Sequence, residues 1–463
     1  MTITPARRRA DRPSLAGTQV PGPRGPALLG VMADIWRDRL GMMTGVTEQY
    51  GDAVRFKLGP KSLYLLNHPD HAKHVLADNA TNYHKGIGQA HAKKVLGDGL
   101  LTSEGELWKR QRKTLNPAFR RDRLSRFAGV VVEEASLLAD RWRRKTRNGP
   151  SVPVDVVQEM TTLTLAVLGQ TLLNADLGAY ESIGQSFEVV QDQAMFEMAT
   201  LNLVPHTVPL PRHLRFRKAR RELDRIVLDI VRQRTQSGDG SDDALSRLMA
   251  DYAAEPDEKV RRRQLRDELV TILLAGHETT ASTVSWTWYE LHRHPEVGER
   301  MRAEAREVLG DGLPEYADLH RLPYTTMVIQ ETMRLHPPVW ILPRRALEPD
   351  RVGGYDIPAG SDVLICPYTL HRHPEFWPDP ERFDPERFAT DQAATQHRYA
   401  YIPFGAGPRF CIGNNLGMME AVFVAAIVAR EFRLELQPGR QVVGEPLLSL
   451  RVKDGLPMII HRA

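Results

Sequence analysis

The sequence predicts a mainly α-helical fold with a small β-rich lobe, in one large domain. Three observations predict it. Apolar residues recur at helical spacing from Arg126 to Trp142, Val154 to Leu173, Tyr180 to Leu203, Arg217 to Arg234 and Asp242 to Ala253. Gln264 to His294 runs without a proline and reads as one long helix. Strand-like sequence is confined to residues 53–66 and parts of 340–365, with no internal repeat or low-complexity linker.

The chain has 463 residues, 42% of them hydrophobic and 26% charged, as expected of a globular protein. Two cysteines cannot build a disulfide framework and fit a reducing compartment. A net charge of +4, without a long basic run or a basic-aromatic motif, argues against nucleic acid. Residues 1–20 form a disordered-looking head in which Arg7, Arg8 and Arg9 precede no apolar stretch, so no signal peptide or anchor is expected. The longest strongly apolar run, Ala421 to Ala429, is about half of the roughly 18 residues of a spanning helix. A cytoplasmic monomer, off the membrane, with one domain over 21–463, is expected.

In chain order, Val20 to Pro26 is a stiff, helix-free entry. Ala53 to Leu58 and Ser62 to Leu66 flank Gly59-Pro60 as a hairpin, and Pro69 to Ala77 follows as a short helix. Gly105 starts another helix, where Trp108 and Arg112 share one face. Such a pair either binds an anionic group or is a core aromatic beside a surface charge. Lys109, Arg110, Lys113, Arg120 and Arg121 crowd the same region, as a solvated face or as a docking surface for an acidic partner. Phe187 to Pro211 is rich in Met195, Phe196, Met198, Leu201 and Leu203 beside prolines, which suits either core packing or a roof over an apolar ligand.

Within the long helix lies Ala275-Gly276-His277-Glu278-Thr279-Thr280, where glycine and hydroxyls can loosen the backbone ladder and open a local bulge. A carboxylate beside a hydroxyl there could move protons. A zinc-protease reading fails, because the second histidine of His-Glu-x-x-His is Ala281. Leu322 to His336 is a helix carrying Glu331 and Arg334, followed by the apolar Val339-Trp340-Ile341-Leu342-Pro343 and then Arg344-Arg345. Pro-Glu-Arg-Phe occurs twice, with Arg382 and with Arg387. Cys366 sits in an apolar strand and reads as a small buried residue. Cys411, by contrast, sits in Phe404-Gly-Ala-Gly-Pro-Arg-Phe-Cys411-Ile-Gly413, just before an apolar helix-like segment. Glycine and proline fix a tight loop there, and a helix start beside Arg409 favours a cysteine anion.

Phe404-x-x-Gly407-x-Arg409-x-Cys411-x-Gly413 resembles the haem-binding signature of the cytochrome P-450 superfamily, the haem-thiolate monooxygenases, at every defining position. The resemblance spans Pro21 to the C-terminus, with five motifs in family order, and one departure is Gly417 where alanine is frequent. It implies a single-domain triangular prism around haem b, with the haem between two central helices, and points to the soluble bacterial type. Cys411 would be the axial iron ligand within the loop of Phe404 and Gly413. Trp108, Arg112, Arg344 and Arg409 would hold the propionates, with Lys85 assisting and Arg345 as a rival to Arg344. Ala275, Gly276, Glu278 and Thr279 would serve dioxygen and proton delivery. Glu331, Arg334 and Arg387 would form a buried ion knot, with Arg382 the duplicate rival. Electrons would come from NAD(P)H through a ferredoxin or flavodoxin and its reductase.

The implied reaction is insertion of oxygen from dioxygen into a hydrophobic small molecule, by hydroxylation or epoxidation. A terpenoid, polyketide or fatty acyl product of bacterial secondary metabolism fits, the terpenoid best. The expected pocket residues are Leu273, Val339, Trp340, Ile341 and Phe196. A peroxygenase or isomerase, or a non-enzymatic haem sensor, is the alternative, and neither accounts as well for the Glu278-Thr279 pair.

Overall fold

The computed structural model describes residues 19–23, 31–58, 61–88, 92–93, 96–178, 180, 182–200, 208, 210–238 and 241–463. Most of the head, the Gly59-Pro60 turn and the expected roof residues Leu201 and Leu203 lie outside them. The described helices are α1 Met32–Arg37, α2 Arg39–Tyr50, α3 Pro69–Lys73, α4 Gly105–Leu115, α5 Arg121–Lys145, α6 Val156–Leu168, α7 Ser182–Ala199 and α8 Pro211–Ser237. They continue with α9 Ala244–Tyr252, α10 Glu258–Arg293, α11 Pro295–Leu309, α12 Pro323–Leu335, α13 Pro367–Leu370, α14 Thr390–Thr395 and α15 Asn414–Glu431.

The axis of the fold is α10, 36 residues long, started by Asp257, whose side chain accepts from the Lys259 and Val260 amides. Leu265 to Leu274 and Ala281 to Trp288 bury residues on every side of it, the mark of a helix enclosed by others. It packs on α6, α12 and α15. The α15 helix is likewise buried from Met419 to Arg430 and leans on α5 and α11. One contiguous apolar core joins these elements. Among the described residues one helical stretch, Val156–Leu173, has the length and hydropathy to cross a membrane, and 61% of it is buried inside the protein.

The β lobe is a five-stranded sheet in the order β1-β2-β8-β5-β3, from Ala53–Leu58, Lys61–Leu66, Asp362–Ile365, Leu342–Ala346 and Tyr83–Lys85. The expected hairpin is present, with Ala53 opposite Leu66 and Leu58 opposite Lys61. Smaller pieces are β4 Val154–Asp155 with β9 Phe432–Leu436 and β12 Pro457–Arg462, β6 Asp350–Val352 with β7 Tyr355–Ile357, and the β10 Gly444–Pro446 and β11 Leu450–Val452 hairpin. Cys366 is buried in the cluster under the sheet, its thiol donating to the Trp340 carbonyl at 3.2 Å.

The backbone loosening expected inside the long helix is not where it was expected. The α10 ladder is unbroken from Glu258 to Arg293, because the threonine hydroxyls bond back to carbonyls four residues earlier without displacing them. One-turn π-helices occur instead at His74–Asp78 and Gly169–Leu173. The first lies against the cysteine loop: a Cβ on Gly407 would sit 1.9 Å from the Leu76 carbonyl oxygen. Glycine is required there doubly, since φ at Gly407 is +66°.

Candidate functional site

The loop from Phe404 to Gly413 closes on itself through Cys411 N–H to the Phe404 carbonyl at 3.0 Å and Phe410 N–H to the Gly407 carbonyl at 3.0 Å. Cys411 is exposed on this loop. Partial desolvation by the surrounding loop pushes its thiol pKa up, opposed by the Gly413 N–H and by the Arg112 guanidinium. Arg112 is fixed on the same loop by a 2.8 Å bond to the Phe410 carbonyl. The cation beside the sulfur is therefore Arg112, not Arg409 as the chain order suggested.

Arg409 turns to the other side. It lies over the Trp108 ring at 3.9 Å, donates to the Ser103 carbonyl at 3.0 Å and pairs with Glu104. Across the β3–β5 ladder Lys85 stands directly opposite Arg344, a like-charge pair that costs stability unless balanced. Arg344 is buried and bonds to its neighbour's carbonyl, Pro343, at 2.9 Å. Burial and the nearby Arg409 pull its pKa down to about 10. Burial, Arg344 and Arg409 likewise pull Lys85 well below the usual amine range, against Glu104. Arg345, pointing the opposite way along the strand, is spent on Asp362 at 2.9 Å. Three cations thus converge around one carboxylate, Glu104, which also takes the Lys85 amide at 2.5 Å. Two more carboxylates would balance the cluster, and the haem propionates are such a pair.

The segment before α4 is pinned to α10. Asp267 accepts from the Asp98 amide at 2.9 Å and Glu268 from the Leu100 amide at 3.0 Å. Burial raises the Glu268 pKa to about 7 despite those bonds.

On α10, Ala275 is exposed and the Thr279 hydroxyl donates to its carbonyl at 2.9 Å. Gly276 faces another way, toward α6: a Cβ there would meet Leu168 Cδ1 at 2.4 Å, so its visible role is close helix packing. Glu278 accepts from Gln191 Nε2 at 2.8 and 2.9 Å and from Ser449 Oγ at 2.6 Å. No hydrogen bond joins Glu278 to Thr279 among the described residues.

The knot is assembled from α12 and the segment after α13. Glu331 takes two bonds from Arg334, at 2.6 and 2.8 Å, with both side chains fully buried. Arg387 pairs with the same carboxylate at 3.4 Å and is little exposed, whereas Arg382 is 69% exposed on Asp384. His371, unforeseen from the sequence, links the knot to the cysteine loop. Its carbonyl accepts from Arg334 at 3.0 Å, and its Nε2 accepts the Ile402 amide at 2.9 Å. Burial and the adjoining Arg334 hold its pKa down to about 3, so the ring is the neutral acceptor that this bond requires.

Several expected pocket residues are not on an open wall. Leu273 is fully buried in the main core, and its carbonyl meets His277. Trp340 is buried under the sheet with its indole N–H on the Leu447 carbonyl at 2.8 Å. Phe196 is covered by Arg212 at 3.9 Å and edges onto His213, so it serves the α7–α8 contact. Val339 and Ile341 remain half-buried beside them. Glu104, missed at first, is legible only as an acid before a helix start; nothing local marks it as the cluster's counter-charge. The basic face is thinner than its sequence: Lys109 pairs with Glu106, Arg110 with Asp251 and Arg120 with Asp122. Among the described residues Lys113 and Arg121 are exposed and without ion pairs.

No three His, Cys, Asp or Glu side chains gather as a metal cage among the described residues. A single cysteine ligand, a nearby cation cluster for two carboxylates and an accessible alanine-threonine face suit a metal carried in a macrocycle, so the residues fit haem.

Comparison with known proteins agrees. The family model for Cytochrome P450 matches residues 20–452. Cyclooctatin synthase of Streptomyces melanosporofaciens is 35% identical over 87% of both chains. Cyclooctat-9-en-7-ol 5-monooxygenase of the same organism is 34% identical over 94% of both. Pentalenene oxygenase of Streptomyces avermitilis is 29% identical over 90% of this chain and 92% of that one. The solved cytochrome P450DA heme domain shares the fold, with a TM-score of 0.84, 24% identity and coverage of 96% and 98%.

Proposed function

The chain belongs to the cytochrome P450 family and is a monooxygenase, and from that premise we propose that its substrate is a terpenoid into which it inserts one oxygen atom of dioxygen. The observation that carries the substrate class is the match, over 94% of both chains, to a relative named for oxidising cyclooctat-9-en-7-ol. Half-buried Val339 and Ile341 and the exposed Ala275 offer an apolar surface in keeping with it.

Haem b, when bound, supplies the iron on which dioxygen is activated, with electrons from NAD(P)H passed through a ferredoxin or flavodoxin and its reductase. The residues present divide the remaining work. Cys411 would ligate the iron, and the Gly413 N–H and Arg112 favour its thiolate. Lys85, Arg344 and Arg409 would hold the two propionates, with Trp108 as the plane on which Arg409 rests. Glu331, Arg334, Arg387 and His371 keep the loop entrance in place. Thr279 and Glu278 would serve proton delivery to bound dioxygen.

The test is titration of the holoenzyme with terpenoid, polyketide and fatty acyl compounds, read by the low- to high-spin shift of the haem. A shift saturating with terpenoids alone is expected. A shift with fatty acyl or polyketide compounds alone would overturn the substrate class.

A further inference from the structure

A cleft of about 490 Å³ opens between α6, α7, α10 and β11. Of the residues placed above at the iron, the propionates or the oxygen side, Glu278 alone is on its wall. Ser282 and Ser285 follow it four and seven residues along α10, on the same helical face, while Ala275 and Thr279 share another. The cleft is therefore a space apart from the one that Ala275 and Thr279 address.

Its rim is exposed and its floor is buried and polar. Gln158, Thr162, Gln185 and Glu188 are exposed at the rim. Below them Gln191 and Ser285 are only 1% and 0% exposed. The Gln191 amide N–H group faces both Glu278 oxygens, at 2.8 and 2.9 Å, which turns its Oε1 away from them. That oxygen is buried with no hydrogen-bond partner among the described residues, and so is Ser285 Oγ. Buried polar atoms left unmet are costly, so two of them lining one cleft mark a place to be filled. Ser282, on the same face of α10, is by contrast already spent on the Leu450 carbonyl at 2.6 Å.

The charges on the wall are matched. Glu188 pairs with Arg451 at 2.8 Å, Arg451 reaches Glu445 at 2.7 Å, and Glu278 takes Ser449 Oγ at 2.6 Å besides Gln191. What is missing is a hydrogen bond, not a charge. Gln191 Oε1 can only accept, so the occupant must donate to it, whereas Ser285 can give or take. Val157, Leu165, Leu177, Phe187 and Val452 add apolar wall. The volume falls in the range of small-molecule sites, roughly 300–1,000 Å³.

We propose that this cleft is a second ligand site, for an uncharged alcohol on an apolar carbon frame, whose polar end meets Gln191 and Ser285. A molecule held there displaces nothing from the iron. The inference does not depend on the substrate class proposed above.

The test is calorimetric titration of the holoenzyme with geraniol, geranylamine and myrcene, with the haem absorption spectrum followed alongside, in the parent, Ser285→Ala and Gln158→Trp. Geraniol should give a saturating heat without a spin-state change. That binding should be about three- to tenfold weaker in Ser285→Ala, and weaker likewise for myrcene, which lacks the hydroxyl. Gln158→Trp, at the exposed rim, should weaken it as well, while spin shifts caused by other ligands stay as in the parent. Because Ser285 Oγ has no protein partner among the described residues, Ser285→Ala should melt no lower than the parent. The two variants sit on different elements, so either carries the test if the other does not fold. A geraniol heat that always accompanies a spin shift, or one indifferent to both variants, overturns the site and leaves the cleft to water. Geranylamine binding more tightly than geraniol overturns the alcohol as its ligand.

Discussion

Arg344 carries the most informative charge in the molecule. It is a buried cation facing Lys85 across a strand pair, with Arg409 nearby and one carboxylate among the three. Burial and the neighbouring Arg409 pull its pKa down to about 10, so its charge is disfavoured there in the absence of further anions. Arg344→Leu should therefore leave the haem-free protein at least as heat-stable as the parent. The same change should speed haem loss about ten- to a hundredfold, the worth of a charge-assisted hydrogen bond at about 1.4–3 kcal/mol. Haem transfer to an acceptor protein measures the second effect and a melting curve the first; equal haem retention would remove Arg344 from the propionate site. The sequence placed Arg344 and Arg345 side by side and could not separate them. Strand alternation does, since successive side chains point to opposite faces and Asp362 claims Arg345. What covers Leu273, Trp340 and Phe196 was equally invisible: their apolar character says that they are covered, not by what.

At the scale of elements, the long helix and the β1–β2 hairpin were legible because periodicity and length are local properties. The π-helical turns at His74–Asp78 and Gly169–Leu173 were not, since an extra residue in a helical turn leaves no mark in composition. Helical spacing shows that the neighbours Glu278 and Thr279 leave α10 in different directions, but not which partners each meets. The knot between α12 and the segment after α13 was legible as a set but ambiguous in its third member. Arg387 reaches Glu331 and donates to the Pro378 and Asp379 carbonyls at 2.6 and 2.9 Å. Arg387→Leu should then destabilise the fold by about 3–5 kcal/mol, the cost of breaking a buried ion pair. Arg382→Leu, at an exposed position, should change stability by less than about 0.5 kcal/mol. Denaturant unfolding of the two variants decides, and equal losses would contradict this arrangement of the knot.

Across the whole molecule, charge is spread as local pairs rather than as one field. Of the five basic residues around α4 and the start of α5, Lys109, Arg110 and Arg120 are neutralised by acids close by. If this face docks an acidic electron donor, steering would therefore fall to Lys113 and Arg121, with Arg112 nearest the Cys411 sulfur. Charge reversal at Lys113 and Arg121 should slow reduction by an acidic ferredoxin severalfold at low salt, with the difference vanishing near 1 M salt, where the screening length is about 3 Å. Stopped-flow reduction measures it, and rates indifferent to both changes would return these residues to plain surface.

In the proposed function, several parts of this architecture serve one sulfur. The sheet brings Lys85 and Arg344, α4 brings Trp108 and Arg112, α10 brings Thr279, and the knot holds the loop that presents Cys411. The most direct measurement is the absorption spectrum of the reduced carbon monoxide complex. The parent protein and Cys366→Ala should both show the red-shifted Soret band of thiolate ligation, and Cys411→Ala should lose it. A parent protein without that band, or a Cys411→Ala variant that keeps it, would contradict the account.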